Sequence, residues 1–181
     1  LLGQMGIAAK IGQLTLGDVG SGEVEGEQRA AVRAGTAGAV LDVVDVATVN
    51  ELQRIAAHDS RLGIPLLVGR DVIHGFKTVL PIPLGQAAAW NPELVQQGAR
   101  MAALEAAASG VNWTFAPMID IARDPRWGRI AESFGEDPHL AAVLGAAAIR
   151  GFQGADLSRL GAIAACAKHF VGYGASEGGR D

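Results

Sequence analysis

The 181-residue sequence contains one cysteine, no block of basic charge and no long apolar run, and each shortage removes a class of function. Cys166 alone cannot close an internal disulfide, so the fold has to rest on apolar packing. Cys166 itself lies in an apolar stretch and reads as a small core thiol. Lys and Arg are scattered and the formal net charge is −4, which leaves no stripe able to neutralise a run of phosphates; nucleic acid is not an expected partner. No window reaches the roughly 18 uninterrupted apolar residues of a membrane span. Leu1-Leu2-Gly3-Gln4-Met5 lacks the charged-then-apolar order of a secretion signal, so the chain reads as soluble, with no membrane partner. Because the sequence does not open on Met, the compartment stays open.

Several chemical constellations are missing as well. His58, His74, His139 and His169 are far apart and form neither HExxH nor a Cys/His pairing, so no metal is expected. Ser133 and Ser176 lack a GxSxG elbow, and the glycines of 172–179 lack a GK[ST] ending and read as loop hinges. No cofactor is expected.

What is present is an ordered composition, 49% hydrophobic and 19% charged. Brief apolar runs predict strands at 11–16, 37–41, 65–68, 111–116 and 161–166, and helical spacing fills 46–60, 92–109 and 137–153. Asn91-Pro92-Glu93 and Glu136-Asp137-Pro138 each have the form of a helix cap followed by proline. The order alternates strand and helix, which calls for parallel strands covered by helices. Gly17, Gly20 and Gly22 follow the first strand without GxGxxG spacing, so a dinucleotide fold lacks its phosphate turn. The densest polar clusters instead follow the third, fourth and fifth strands, where barrel enzymes carry their catalytic loops. The expected fold is α/β, a partial (β/α)8 TIM-type barrel with about five βα units, since 181 residues fall short of the roughly 250 of a whole barrel.

Three clusters carry candidate chemistry. In Gly69-Arg70-Asp71-Val72-Ile73-His74-Gly75, Asp71 either accepts from a ligand's hydroxyls or pairs with Arg70 and caps a turn; His74 reads as bonded to its own loop. The second cluster is Asp120-Ile121-Ala122-Arg123-Asp124-Pro125-Arg126-Trp127-Gly128-Arg129, followed by Glu132-Ser133-Phe134-Gly135-Glu136-Asp137. It reads as a loop held by arginines that bridge carboxylates and stack on the indole. Spacing does not choose which of its charges faces a ligand. In the third, Lys168-His169-Phe170, two polar side chains at a strand end cannot both enter an apolar core; either a solvated Lys stands beside a packed His, or at least one finds a partner.

Together with Lys10-Ile11-Gly12-Gln13-Leu14, these segments resemble, in order, the signature segments of family 3 glycoside hydrolases of the β-glucosidase type. The resemblance runs from about Lys10 to the last residue. It implies that residues 1–181 are an incomplete N-terminal barrel domain, with the rest of the barrel and a second domain outside them. It also implies hydrolysis of terminal non-reducing β-D-glucosyl residues by a retaining double displacement. Asp71, Arg129, Lys168 and His169 match the residues that bind the sugar, and the ligand is a small β-glucoside or oligosaccharide. The nucleophilic Asp and the acid/base Glu are implied in later segments, so no catalytic residue is assigned here. The continuation Phe170-Val171-Gly172-Tyr173-Gly174 differs from the Pro-Gly-His or Pro-Gly-Asp of the family's N-acetylhexosaminidases and looks glucosidase- or xylosidase-like. Lys77 stands where relatives often carry Arg, and bidentate pairing is lost if it meets an acid. The competing reading is a non-catalytic carbohydrate-binding fragment or truncated gene product. Five strands also leave an open barrel edge, to be covered by the missing C-terminal part or another chain.

Overall fold

The computed structural model describes residues 1–18 and 26–179; Gly20 and Gly22 lie outside the described residues. Five strands, β1 (Leu16–Asp18), β2 (Ala39–Leu41), β3 (Leu67–Arg70), β4 (Trp113–Thr114) and β5 (Ala164–Ala165), follow one another in chain order in one sheet. The helices are α1 (Ile7–Gln13), α2 (Gly26–Ala34), α3 (Val46–Arg54), α4 (Pro83–Ala87), α5 (Pro92–Ala108) and α6 (Pro138–Gln153). The expected α/β class and five strands are therefore present.

The predicted first strand is a correction. Residues 7–13 are helical, and the strand begins only at Leu16. Ile7, Ile11 and Leu14 recur at i, i+4 and i+7, a helix period that a window starting at Ile11 hides. Helix α2 also went unpredicted, because its sequence GEQRAAVRA is mostly polar. The helix expected over 46–60 is α-helical only to Arg54, then widens into a π-helical turn over Ile55–Asp59.

The chain divides into two compact units. The first comprises Leu1–Arg70 and Ala108–Trp113. Within it β1, β2 and β3 are parallel, with Leu16 opposite Ala39 and Ala39 opposite Leu67. Its core is aliphatic: Val32, Val40, Val49, Leu52, Ile55 and Val68 are all almost wholly buried. Asp45 caps α3 by accepting from the Thr48 amide at 2.8 Å. Gly110 has φ +89°, and a Cβ there would lie 2.6 Å from Val49 Cγ1, so both backbone and space demand glycine.

The second unit comprises Asp71–Ala107 and Thr114–Asp181. Both expected caps form. Asn91 Oδ1 accepts from the Glu93 and Leu94 amides, and Asp137 Oδ1 accepts from the Leu140 amide at 2.6 Å. Alanines 99, 102 and 103 of α5 and 141, 147 and 148 of α6 are buried. Gly151 of α6 sits directly on the Gln96 carbonyl of α5, where a side chain would collide with it.

Candidate functional site

Every residue of the site belongs to the second unit, and backbone pairing beyond β4 and β5 explains how it assembles. The Cys166 and Lys168 amides donate to the Ala116 and Pro117 carbonyls at 3.0 Å, and the Ile119 amide donates to the Lys168 carbonyl at 2.8 Å. Met118 and Lys168 thus form a parallel bridge, and past the Ile119-to-Lys168 hydrogen bond Asp120 and His169 come together.

Asp71 opens the loop that follows β3. The loop's start is fixed where the Val72 amide donates to the buried Thr114 hydroxyl, 3.1 Å away. Its far end is fixed by Glu105 of α5, which accepts from the Lys77 and Thr78 amides at 2.8 Å and from Thr78 Oγ1 at 2.6 Å. The His74 carbonyl accepts from the Leu80 amide at 2.8 Å. The ring of His74 departs from expectation, since its buried Nδ1 has no hydrogen-bond partner among the described residues.

Of the two readings of Asp71, pairing with Arg70 does not occur. Arg70 Nη1 contacts Asp42 Oδ1 at 2.9 Å, and Asp71 Oδ2 accepts from Lys168 Nζ at 2.7 Å. Lys168 is the more enclosed partner, with 11% of its side chain exposed against 47% for Asp71, so the carboxylate faces solvent or whatever displaces it.

Arg129 lies on the turn ahead of a 3-10 helix, Ile130–Glu132, and the i,i+3 spacing presents its guanidinium to Glu132. The pair is bidentate, Nε to Oε1 at 2.6 Å and Nη2 to Oε2 at 2.7 Å. That hydrogen bonding holds the Glu132 carboxyl below its ordinary range and raises Arg129 further. The remaining nitrogen, Nη1, lies 3.3 Å from His169 Nε2. His169 Nδ1 lies 2.7 Å from Asp120 Oδ2, which also accepts from the His169 amide at 3.1 Å.

Aromatic packing frames this chain of contacts. Tyr173 meets Trp127 edge-on at 5.3 Å and His169 edge-on at 4.6 Å. The Arg129 guanidinium lies 5.3 Å from the Tyr173 ring centre. The Arg129 cation lies over Tyr173, and Trp127 is buried against Met118 and Ala122. Arg126 does bridge a carboxylate, contacting Asp124 Oδ1 and Oδ2 at 2.9 and 2.7 Å, and holds that acid well below the usual range. Asp124 in turn accepts from the Gly178 amide at 2.8 Å, tying the last described loop to the second cluster. Gly174 is buried against Ile121, whose carbonyl would lie 2.7 Å from an added Cβ.

The four residues singled out from sequence thus form two contacts, Asp71 with Lys168 and Arg129 with His169, joined by the Lys168-His169 step. Asp120, Glu132 and Tyr173 join them. Such a cluster offers one exposed acceptor among several donors, a suitable lining for a polyhydroxylated ligand. Among the described residues no three His, Cys, Asp or Glu side chains gather as a metal ion would require.

A family described as "Glycosyl hydrolase family 3 N terminal domain" matches residues 6–181. The chain belongs to glycosyl hydrolase family 3. The periplasmic β-glucosidase of Salmonella typhimurium is 40% identical over 181 residues, which are the whole of this chain and 24% of that protein. A β-xylosidase of Formosa agariphila is 38% identical over 137 residues, 69% of this chain and 19% of that one. The crystal structure of a β-glucosidase from Listeria innocua in complex with isofagomine shares 40% identity and a TM-score of 0.85, covering 98% of this chain and 26% of that one. The chain therefore spans about a quarter of the length of these relatives, and the expectation of a partial barrel domain of this family stands with them.

Proposed function

We propose that this chain supplies the sugar-binding part of a β-glucosidase, in which terminal non-reducing β-D-glucosyl residues are released by a retaining double displacement. The observation that carries the proposal is the convergence on one cluster of Asp71, Arg129, Lys168 and His169, drawn from three loops, with Asp71 and Lys168 97 positions apart. Asp71 accepts from sugar hydroxyls, while Lys168, Arg129 and His169 surround the same ring. Lys168 neutralises the carboxylate and keeps it aimed, yet leaves it half open to a ligand. Retention needs two carboxylates about 5–5.5 Å apart across the scissile bond, one as nucleophile and one as acid then base. The residues of this chain are assigned neither part, because the resemblance to the family implies the nucleophilic Asp and the acid/base Glu in later segments. The names of the relatives, glucosidases and xylosidases, support the same class of substrate.

The test has two arms with an aryl β-glucoside as substrate. In the native protein, Asp71→Ala is expected to lower kcat/KM by about one to two decades, the equivalent of a charge-assisted hydrogen bond of about 1.5–3 kcal/mol. Unchanged kinetics with a lowered melting temperature would make Asp71 structural and sink the proposal. Residues 1–181 on their own are expected to release no glucose. Turnover by them that disappears on changing Glu132, Glu136 or Glu177 would show that the catalytic carboxylates are among these acids.

A further inference from the structure

We propose that Asp120 is a positioning residue for this site: its buried carboxylate fixes His169 as the Nδ1–H tautomer, so that the ring presents its Nε2 lone pair to Arg129. The inference rests on the sugar-site reading for its functional consequence, but the tautomer itself follows from two contacts that make no reference to a sugar. Arg129 Nη1 carries hydrogens and no lone pair, so His169 Nε2, 3.3 Å away, has to be the acceptor. An ionised Asp120 accepts only, so Nδ1, 2.7 Å from Oδ2, has to be the donor. One arrangement of the ring proton satisfies both, and a proton on Nε2 would instead point at a guanidinium.

Asp120 is suited to this task by its surroundings. Only 3% of its side chain is exposed, so water does not compete for Oδ2. The same oxygen accepts from the His169 amide at 3.1 Å, so one carboxylate fixes both the backbone and the ring of that residue. Tyr173 meets the ring edge-on at 4.6 Å and restricts its rotation. The result is a directed row, Asp120 to His169 to Arg129 to Glu132, in which each donor faces an acceptor. Because Glu132 takes Nε and Nη2 of Arg129 and His169 takes Nη1, the orientation of the guanidinium is set from both sides. Loss of Asp120 frees the ring to carry its proton on Nε2, which turns the Arg129 contact from attraction into repulsion.

The test compares the native protein with Asp120→Asn and Asp120→Ala, using nitrogen NMR of histidine labelled in the ring, assigned by the loss of signal in His169→Gln. The native His169 is expected to be pyrrole-type at Nδ1 and pyridine-type at Nε2. Asp120→Asn, whose amide oxygen still accepts, retains that pattern; Asp120→Ala loses it and lowers kcat/KM for an aryl β-glucoside by about 10- to 100-fold. A native ring protonated at Nε2 overturns the proposal. So does an Asp120→Ala protein that keeps both the tautomer and kcat/KM, whatever its melting temperature. Should Asp120→Ala fail to fold, the native and Asp120→Asn spectra still decide the tautomer. A failure of the sugar-site reading appears separately, as an Asp71→Ala protein with unaltered turnover.

Discussion

The two units differ in what they bury beside an apolar core. The first buries valine, leucine and isoleucine and places its ion pairs, Arg29 with Glu51 and Arg54 with Asp59, on partly open surface. The second also buries aliphatic side chains, Leu144 and Ile163 among them, but adds the buried polar groups Asp120, Ser133 and Thr114. A buried carboxylate costs solvation unless it is fully engaged, so a fold retains one where direction matters more than burial. The difference assigns packing to the first unit and aim to the second.

The largest expected effect tests the packing side. Leu52→Ala empties a fully buried position in the aliphatic core and should destabilise by about 2–5 kcal/mol. Chemical denaturation reads that loss, while kcat/KM of the folded protein stays unchanged. A drop in kcat/KM without destabilisation would erase the distinction between the units. A smaller effect concerns the caps, which the two units share. Asp45→Ala and Asp137→Ala each remove an acceptor for an amide of the first helical turn and should each cost about 1 kcal/mol. Equal shifts in one cooperative melt are expected; two transitions, each moved by only one variant, would show that the units unfold separately.

The smallest effect is one of pH. Arg129 depresses the pKa of Glu132, so the stabilisation from that pair is complete above the ordinary glutamate value and is lost as pH falls through the lower, folded value. The melting-temperature gap between the native protein and Glu132→Gln should therefore be widest near neutrality and close on acidification below about pH 4. A gap that is constant with pH would mean that the pair contributes shape rather than charge.

Much of this organisation was legible in the sequence, for reasons that can be named. Proline after a capping residue marked the starts of α5 and α6, since that signal is local and chemical. The strands from β2 onward fall inside the predicted runs or within two residues of them, because each run is short and bounded by Gly, Pro or Asp. The start of the chain was misread where helix and strand periods coincide over Ile11–Leu16, and α2 was missed because its apolar residues are three alanines and a single valine among charged and polar neighbours. In the site, Asp71, Arg129, Lys168 and His169 stood out by resemblance and by their place after strands. Asp120 did not, because its role depends on the parallel register of Met118 with Lys168, and no spacing within one segment reports a pairing across 50 residues. Position 120 follows Ile119, whose amide bonds the Lys168 carbonyl, as position 169 follows Lys168, an offset that only the register reveals.

The hold that Glu105 exerts on the loop after Asp71 bears on how such a sequence can drift. Its carboxylate grips the main-chain amide of residue 77 rather than depending on a bidentate side chain there, together with the amide and hydroxyl of Thr78. Every amino acid except proline brings that amide. Lys or Arg at 77 brings the same amide to Glu105, so exchange between them leaves that grip in place, whereas loss of the Thr78 hydroxyl or the Glu105 carboxylate removes part of it.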